Sequence, residues 1–123
     1  MKIKITRKKQ LASALVPFYI VINMDKDEII KKVKNGEEVT VYPINRGETI
    51  ILNSQENKVK IICMNGNLEN SKIYPWSFSE YLEIVEDSTL LLEQTKMLKT
   101  VEIKLSIINK LITDEKNIEI YEI

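Results

Sequence analysis

The stretch FYIVINMDKDEIIKKVKNGEEVTVYPINRGETIIL, Phe18–Leu52, decides the fold. Phe18–Asn23 is a dense run of aromatic and β-branched residues, the composition of a buried strand. Tyr19 and Val21 face one way, and Phe18, Ile20 and Ile22 the other. Both faces are apolar, so the strand belongs in the middle of a sheet. Met24–Asp27 reads as a turn and Glu28–Val33 as the return strand. Asn35-Gly36 reads as a hairpin turn, because a type I′ turn needs φ > 0 at both central positions. Val39 and Val41 alternate with Thr40 and Tyr42 until Pro43, which has no N–H to give, ends the ladder. Arg46-Gly47 turns the chain again and Thr49–Leu52 opens another strand. The pattern is that of an antiparallel β scaffold.

Outward from this stretch the alternation continues. Lys2–Thr6 places Ile3 and Ile5 on one face of a half-buried first strand. Pro17 biases Val16 away from helix, so Leu11–Val16 is expected to be extended. Asn53–Asn57 is a polar loop, and Lys58–Met64 alternates with Val59, Ile61 and Cys63 on one face. Asn65-Gly66 is a second hairpin signal. Leu68–Pro75 reads as irregular and polar. Phe78–Val85 and Thr89–Leu92 read as a strand pair around Glu86-Asp87-Ser88, and Asn117–Ile123 as a closing strand.

Residues 90–112 support two readings. Leu91, Leu98, Leu105 and Ile112 recur at heptad spacing, with Val101 and Ile108 in complementary positions, which allows a short helix. Yet Val101, Ile103, Leu105 and Ile107 alternate with Glu102, Lys104 and Ser106, and the β-branched residues disfavour helix. Val101–Ile108 is therefore expected to be a strand. About ten short strands at regular spacing imply an all-β, antiparallel sandwich, Ig-like or jelly-roll-like, in one domain over residues 1–123.

The order Arg7-Lys8-Lys9, Pro17-Phe18-Tyr19 with Val21 and Ile22, Lys34-Asn35-Gly36-Glu37 and Arg46-Gly47-Glu48 resembles a group of small β-sandwich proteins of Gram-positive bacteria. So do the end segments Lys104–Leu111 and Ile118–Ile123. The resemblance covers turn and core features. It departs where such proteins carry Asp-Gly, since Lys26 follows Asp25 and Glu28 follows Asp27. It implies the sandwich fold and no particular activity.

Composition narrows the chemistry. Eighteen basic and eighteen acidic side chains cancel, which argues against a dedicated nucleic-acid binder. One cysteine permits no internal disulfide and fits a reducing, cytoplasmic setting. The chain has no histidine, which excludes Ser-His-Asp and Cys-His catalysis within it, along with His-ligated zinc and haem. No metal or cofactor is expected. Lys2, Lys4, Arg7, Lys8 and Lys9 precede the apolar run Leu11–Ile22, an arrangement shared with signal peptides. Pro17 interrupts that run and no small-residue cleavage site follows it, which makes a leader the lesser of two readings. The run is also too short to span a bilayer.

Each candidate site has a structural counterpart. Arg7, Lys8 and Lys9 could meet phosphate or an anionic membrane, or could instead form a solvated edge strand whose lysines discourage edge pairing. Asp25, Asp27 and Glu28 resemble a calcium-loop fragment without its glycine and distal glutamate, so a turn is the better reading. Glu37 and Glu38 point to opposite strand faces and form no acid–base pair. Cys63 reads as a small buried hydrophobe. Tyr74, Pro75, Trp76, Phe78 and Tyr81 could form an interface hot spot or a stacking platform in a loop, or Trp76 could plug the end of the sandwich. The function expected is a non-catalytic protein-interaction module, with an unknown protein partner or a second copy of itself. The alternatives are an accessory docked to a membrane-associated complex by its basic edge, and a hydrolase using carboxylates or a Ser–Lys pair.

Overall fold

The apolar residues of Phe18–Ile22 are divided between two cores, and the layering of the molecule follows from that division. The computed structural model describes residues 1–10, 17–69, 72–96, 102–108 and 118–123. Along them run β1 (Lys2–Arg7), β2 (Phe18–Ile22), α1 (Lys26–Lys34), β3 (Tyr42–Ile44), β4 (Thr49–Asn53), β5 (Val59–Glu69), β6 (Lys72–Phe78), β7 (Leu82–Ile84), β8 (Ser88–Lys96), β9 (Glu102–Ile108) and β10 (Glu119–Glu122). The first sheet has the order β10-β4-β1-β8-β9, and the second β3-β2-β5-β6 with β7 beside β5. This is an all-β, sandwich-like architecture with one short helix. Two pairings in the first sheet, β1 with β8 and β10 with β4, are parallel, so that sheet is mixed.

Between the sheets lies an aliphatic core. Ile3 and Ile5 of β1, Ile50 and Leu52 of β4, and Leu90 and Leu92 of β8 meet Phe18, Ile20, Val59 and Ile61 of the second sheet. The opposite face of the second sheet carries Tyr19, Val21, Ile62, Met64 and Ile73, and α1 covers it with Ile29 and Val33. The alternation of β2 and β5 thus feeds two cores at once, giving three layers: sheet, sheet, helix. The expected faces of β1, β2 and the first half of β5 stand as read.

The helix is a correction, because Glu28–Val33 is not a return strand. Asp25 caps it, its Oδ1 accepting a 2.8 Å hydrogen bond from the Glu28 backbone N–H. Asp27 and Glu28 lie in the first turn, and Lys31, Lys32 and Lys34 in the last, all favourable to the helix dipole. Ile29 and Val33, one turn apart, bury the same stripe. The acidic cluster is therefore a helix start.

Neither Asn-Gly step is a hairpin turn. Asn35 is the C-cap of α1 and Gly36 follows at φ 72°. Gly36 N donates to Val33 O and Glu37 N to Lys32 O, the Schellman pattern. Asn65 and Gly66 lie inside β5, at a register shift against β6. The hairpin closes later, so much of Leu68–Pro75 is strand. Val39 and Val41 still pack on the helix-side core, but outside any strand. Pro43 lies within β3, paired with Tyr19, and β3 is an edge strand, where proline is tolerated. β7 and β8 do not pair: β7 joins β5 while β8 joins β1 and β9. Within 90–112 the described residues are strand, the rest of that segment lying outside them, as does Leu11–Val16. Arg46-Gly47 does turn, with Gly47 at φ 73° and Glu48 N donating to Asn45 O. No helix among the described residues is long and apolar enough to cross a membrane.

Candidate binding cleft

β8 and β9 pair antiparallel through Leu92↔Leu105, Glu93↔Lys104 and Gln94↔Ile103, and the register then shifts so that Lys96 meets Glu102. β9 ends its sheet, and no described strand pairs with its far side. Beside β9, between the end of β6 and the register shift in β8, lies a cleft of about 410 Å³ lined by Phe78, Glu80, Thr95, Glu102, Ile103, Lys104 and Leu105. Four of these are consecutive residues of β9. Successive strand side chains point to opposite faces, so a cavity that touches four in a row reaches both faces of β9, and Thr95 brings it to the end of β8 as well. Ile103 and Leu105 are buried in the core between the sheets, and half-buried Phe78 packs against the helix-side core, so the apolar floor draws on both cores. Glu80, Thr95, Glu102 and Lys104 are exposed and form a polar rim. Phe78 is set from behind, since it pairs with Met64 and the Lys26 ammonium lies 5.6 Å from its ring centroid.

Among the described side chains, the expected aromatic residues Tyr74, Phe78 and Tyr81 lie apart from one another. Tyr74 and Phe78 lie on β6 rather than in a loop. Tyr74 is exposed and, next to buried Ile73, faces away from the helix-side core. Tyr81 is exposed, with the Lys60 ammonium 5.7 Å from its ring. Trp76 belongs to β6, but its side chain lies outside the described residues. Of this group, Phe78 lines the cleft.

The basic edge is not assembled either. β1 is an interior strand, and Arg7 is only 2% exposed. The Arg7 guanidinium stacks 3.9 Å above the Phe18 ring and its Nη1 donates to Ile44 O at 3.0 Å, so it ties the two sheets together. Burial lowers its pKa from the ordinary value, against the opposing influence of Cys63 and Glu48. Lys8 reaches Glu93 at 3.5 Å, and Lys9 is exposed beside Gly47. Cys63 is fully buried, and burial pushes its thiol up, although Arg7 and a Tyr19 backbone hydrogen bond pull the other way. A thiol held protonated in this way is a poor nucleophile. Asn65 is 1% exposed, and among the described residues neither its Oδ1 nor its Nδ2 has a hydrogen-bond partner.

The residues that sequence reasoning missed are Glu80, Thr95, Glu102, Ile103, Lys104 and Leu105. Their alternation in β9 was legible, but the cleft depends on β9 being an edge, which no local pattern reports. No protein-family model, no curated protein and no solved structure matches this chain.

Proposed function

We propose that the protein is a non-catalytic binding module that takes an extended peptide segment along β9. The observation that carries this reading is the cleft bordered by four consecutive residues of an edge strand. An extended chain laid there can pair with the backbone of β9, and its alternate side chains reach the apolar floor of Phe78, Ile103 and Leu105. Backbone pairing supplies affinity and the floor supplies selectivity. The rim of Glu80, Glu102 and Lys104 favours a ligand with polar or basic residues between its apolar ones. Glu80 and Glu102 are both exposed, a setting suited to recognition of such side chains rather than to acid–base work. The alternative of membrane docking through a basic edge loses its main support, because β1 is interior and Arg7 is buried.

The test is selection of binders from a random extended-peptide library, followed by amide hydrogen exchange on the complex. Amides of β9 that face away from β8 should slow on binding, and Lys104→Glu should alter the salt dependence of affinity. A library that yields no binder, or binders that leave β9 exchange unchanged, would overturn the reading.

A further inference from the structure

The two Asn-Gly steps differ in what they permit chemically. In such a step the glycine nitrogen can attack the asparagine Cγ. An N–C bond forms, the side-chain nitrogen leaves as ammonia, and a five-membered succinimide results. Water then opens the ring at one carbonyl to give aspartate, or at the other to give isoaspartate, in which the backbone runs through the former side chain. Glycine favours the attack because no Cβ shields its nitrogen. The reaction also requires the asparagine ψ to rotate and the glycine nitrogen to lose its proton.

Asn35 is exposed, at φ −84° and ψ 2°, on the last cap of α1. Among the described residues, the hydrogen bonds that resist its rotation are those of the cap: Asn35 N to Lys31 O and Gly36 N to Val33 O, both 3.1 Å, and Glu37 N to Lys32 O at 2.9 Å. Helix ends fray, so these bonds open far more readily than the fold as a whole. The surroundings are mixed in charge, with Lys31, Lys32 and Lys34 in the last turn and Glu37 and Glu38 following Gly36. The Lys72 ammonium lies 3.7 Å from where a Cβ on Gly36 would stand. The lysines favour a deprotonated Gly36 nitrogen and Glu37 and Glu38 oppose it, so what sets Asn35 apart is the backbone freedom of the cap. Asn65 is held between Phe18 of β2 and Ser77 of β6 and is 1% exposed, so its rotation requires β5 to leave the sheet.

We infer that Asn35 is a modification site, converted spontaneously to aspartate and isoaspartate through a succinimide in the folded protein, while Asn65 is locked against the same reaction. The isoaspartate product adds a backbone carbon inside the cap and removes the geometry that the Gly36 and Glu37 hydrogen bonds need. Modification therefore loosens the end of α1 that packs Val33 over the helix-side core.

The experiment ages the intact protein in mildly alkaline buffer, with and without urea, and maps both steps by peptide mass spectrometry and enzymatic isoaspartate methylation. In urea both steps should convert at comparable rates. In the native protein Asn35 should convert readily. Asn65 should fall to about 10⁻³ or less of its rate in urea, the open fraction of a marginally stable domain. Asn35→Gln should remove the native signal. Native protection of Asn35 equal to that of Asn65, or native conversion of Asn65 at a rate comparable to Asn35, would overturn the inference.

Discussion

Among the described residues, a Cβ added at Gly36 would meet the Lys72 ammonium alone, at 3.7 Å, whereas one added at Gly66 would collide with the Tyr74 carbonyl oxygen and stand 2.9 Å from Pro75 Cα. The same dipeptide, Asn-Gly, is therefore used for two different properties of glycine. At residue 36 the requirement is dihedral: a φ of 72° closes the helix cap. At residue 66 it is spatial: β5 and β6 approach so closely at their register shift that no side chain fits between them. The first glycine is chosen by its own backbone and the second by a backbone eight residues or more away in the chain.

The largest way to break this comparison is Gly66→Ala. The obstructing atoms are backbone, which cannot swing aside as a side chain can. The strand pair must separate, at a cost of about 3 kcal/mol, the upper end for overpacking. Urea unfolding measures it, and a loss no larger than that of the helix variant would show that the hairpin yields easily. Gly36→Ala should cost less, about 1–2 kcal/mol, the usual penalty of a left-handed residue with a Cβ. That loss should also appear as faster exchange of the last-turn amides of α1, with the sheet amides unchanged.

These two sites also show what local pattern could and could not reveal. Period-two alternation is produced by burial of one strand face, so β1, β2, β4 and β9 were legible, as was the two-sided burial of β2. The helix was not, because Ile29, Ile30 and Val33 carry strand composition. Its signals were nonetheless present: Asp25 three residues before Glu28, lysines in the last turn, and a glycine just past the end. Asn-Gly misled because a left-handed or side-chain-free position serves a hairpin, a helix cap and a close strand approach equally. Arg7 was grouped with Lys8 and Lys9 by charge, while the alternation Ile3, Ile5, Arg7 already placed it inward. The cleft was beyond local reading. Whether β9 is an edge depends on the order β10-β4-β1-β8-β9, whose parallel pairings are fixed by crossovers between distant segments.

The asparagines sharpen the comparison further. Asn65 is buried with no partner for its side-chain amide among the described residues, a cost that an apolar side chain of the same branched shape would remove. Asn65→Leu should therefore stabilise the fold by about 1 kcal/mol, the lower end of the penalty for an unsatisfied buried polar group. A loss of stability would mean that the amide has a partner in solution, such as an ordered water, and high-resolution crystallography of the wild-type protein would find it.

The smallest expected effect is that of Asn35→Asp. The new carboxylate stands at the C-terminal end of α1, where the helix dipole is negative, and the interaction is unfavourable. Lys31, Lys32 and Lys34 in the last turn offset much of it. Asn35 is exposed, so solvent screens what remains. A net loss of about 0.3 kcal/mol is expected at low salt. At about 1 M salt, where the Debye length is near 3 Å, it should disappear. Parallel urea titrations at the two salt concentrations make the measurement. A salt-independent loss above about 1 kcal/mol would exceed what a screened surface charge can do at a helix end, and would mean that the Asn35 amide itself holds the cap. The variant also separates charge from backbone in the ageing chemistry. It carries the carboxylate without the extra backbone carbon. If the aged protein exchanges its last-turn amides faster than Asn35→Asp does, the isoaspartate backbone opens the helix end. If the two exchange alike, the charge alone is responsible.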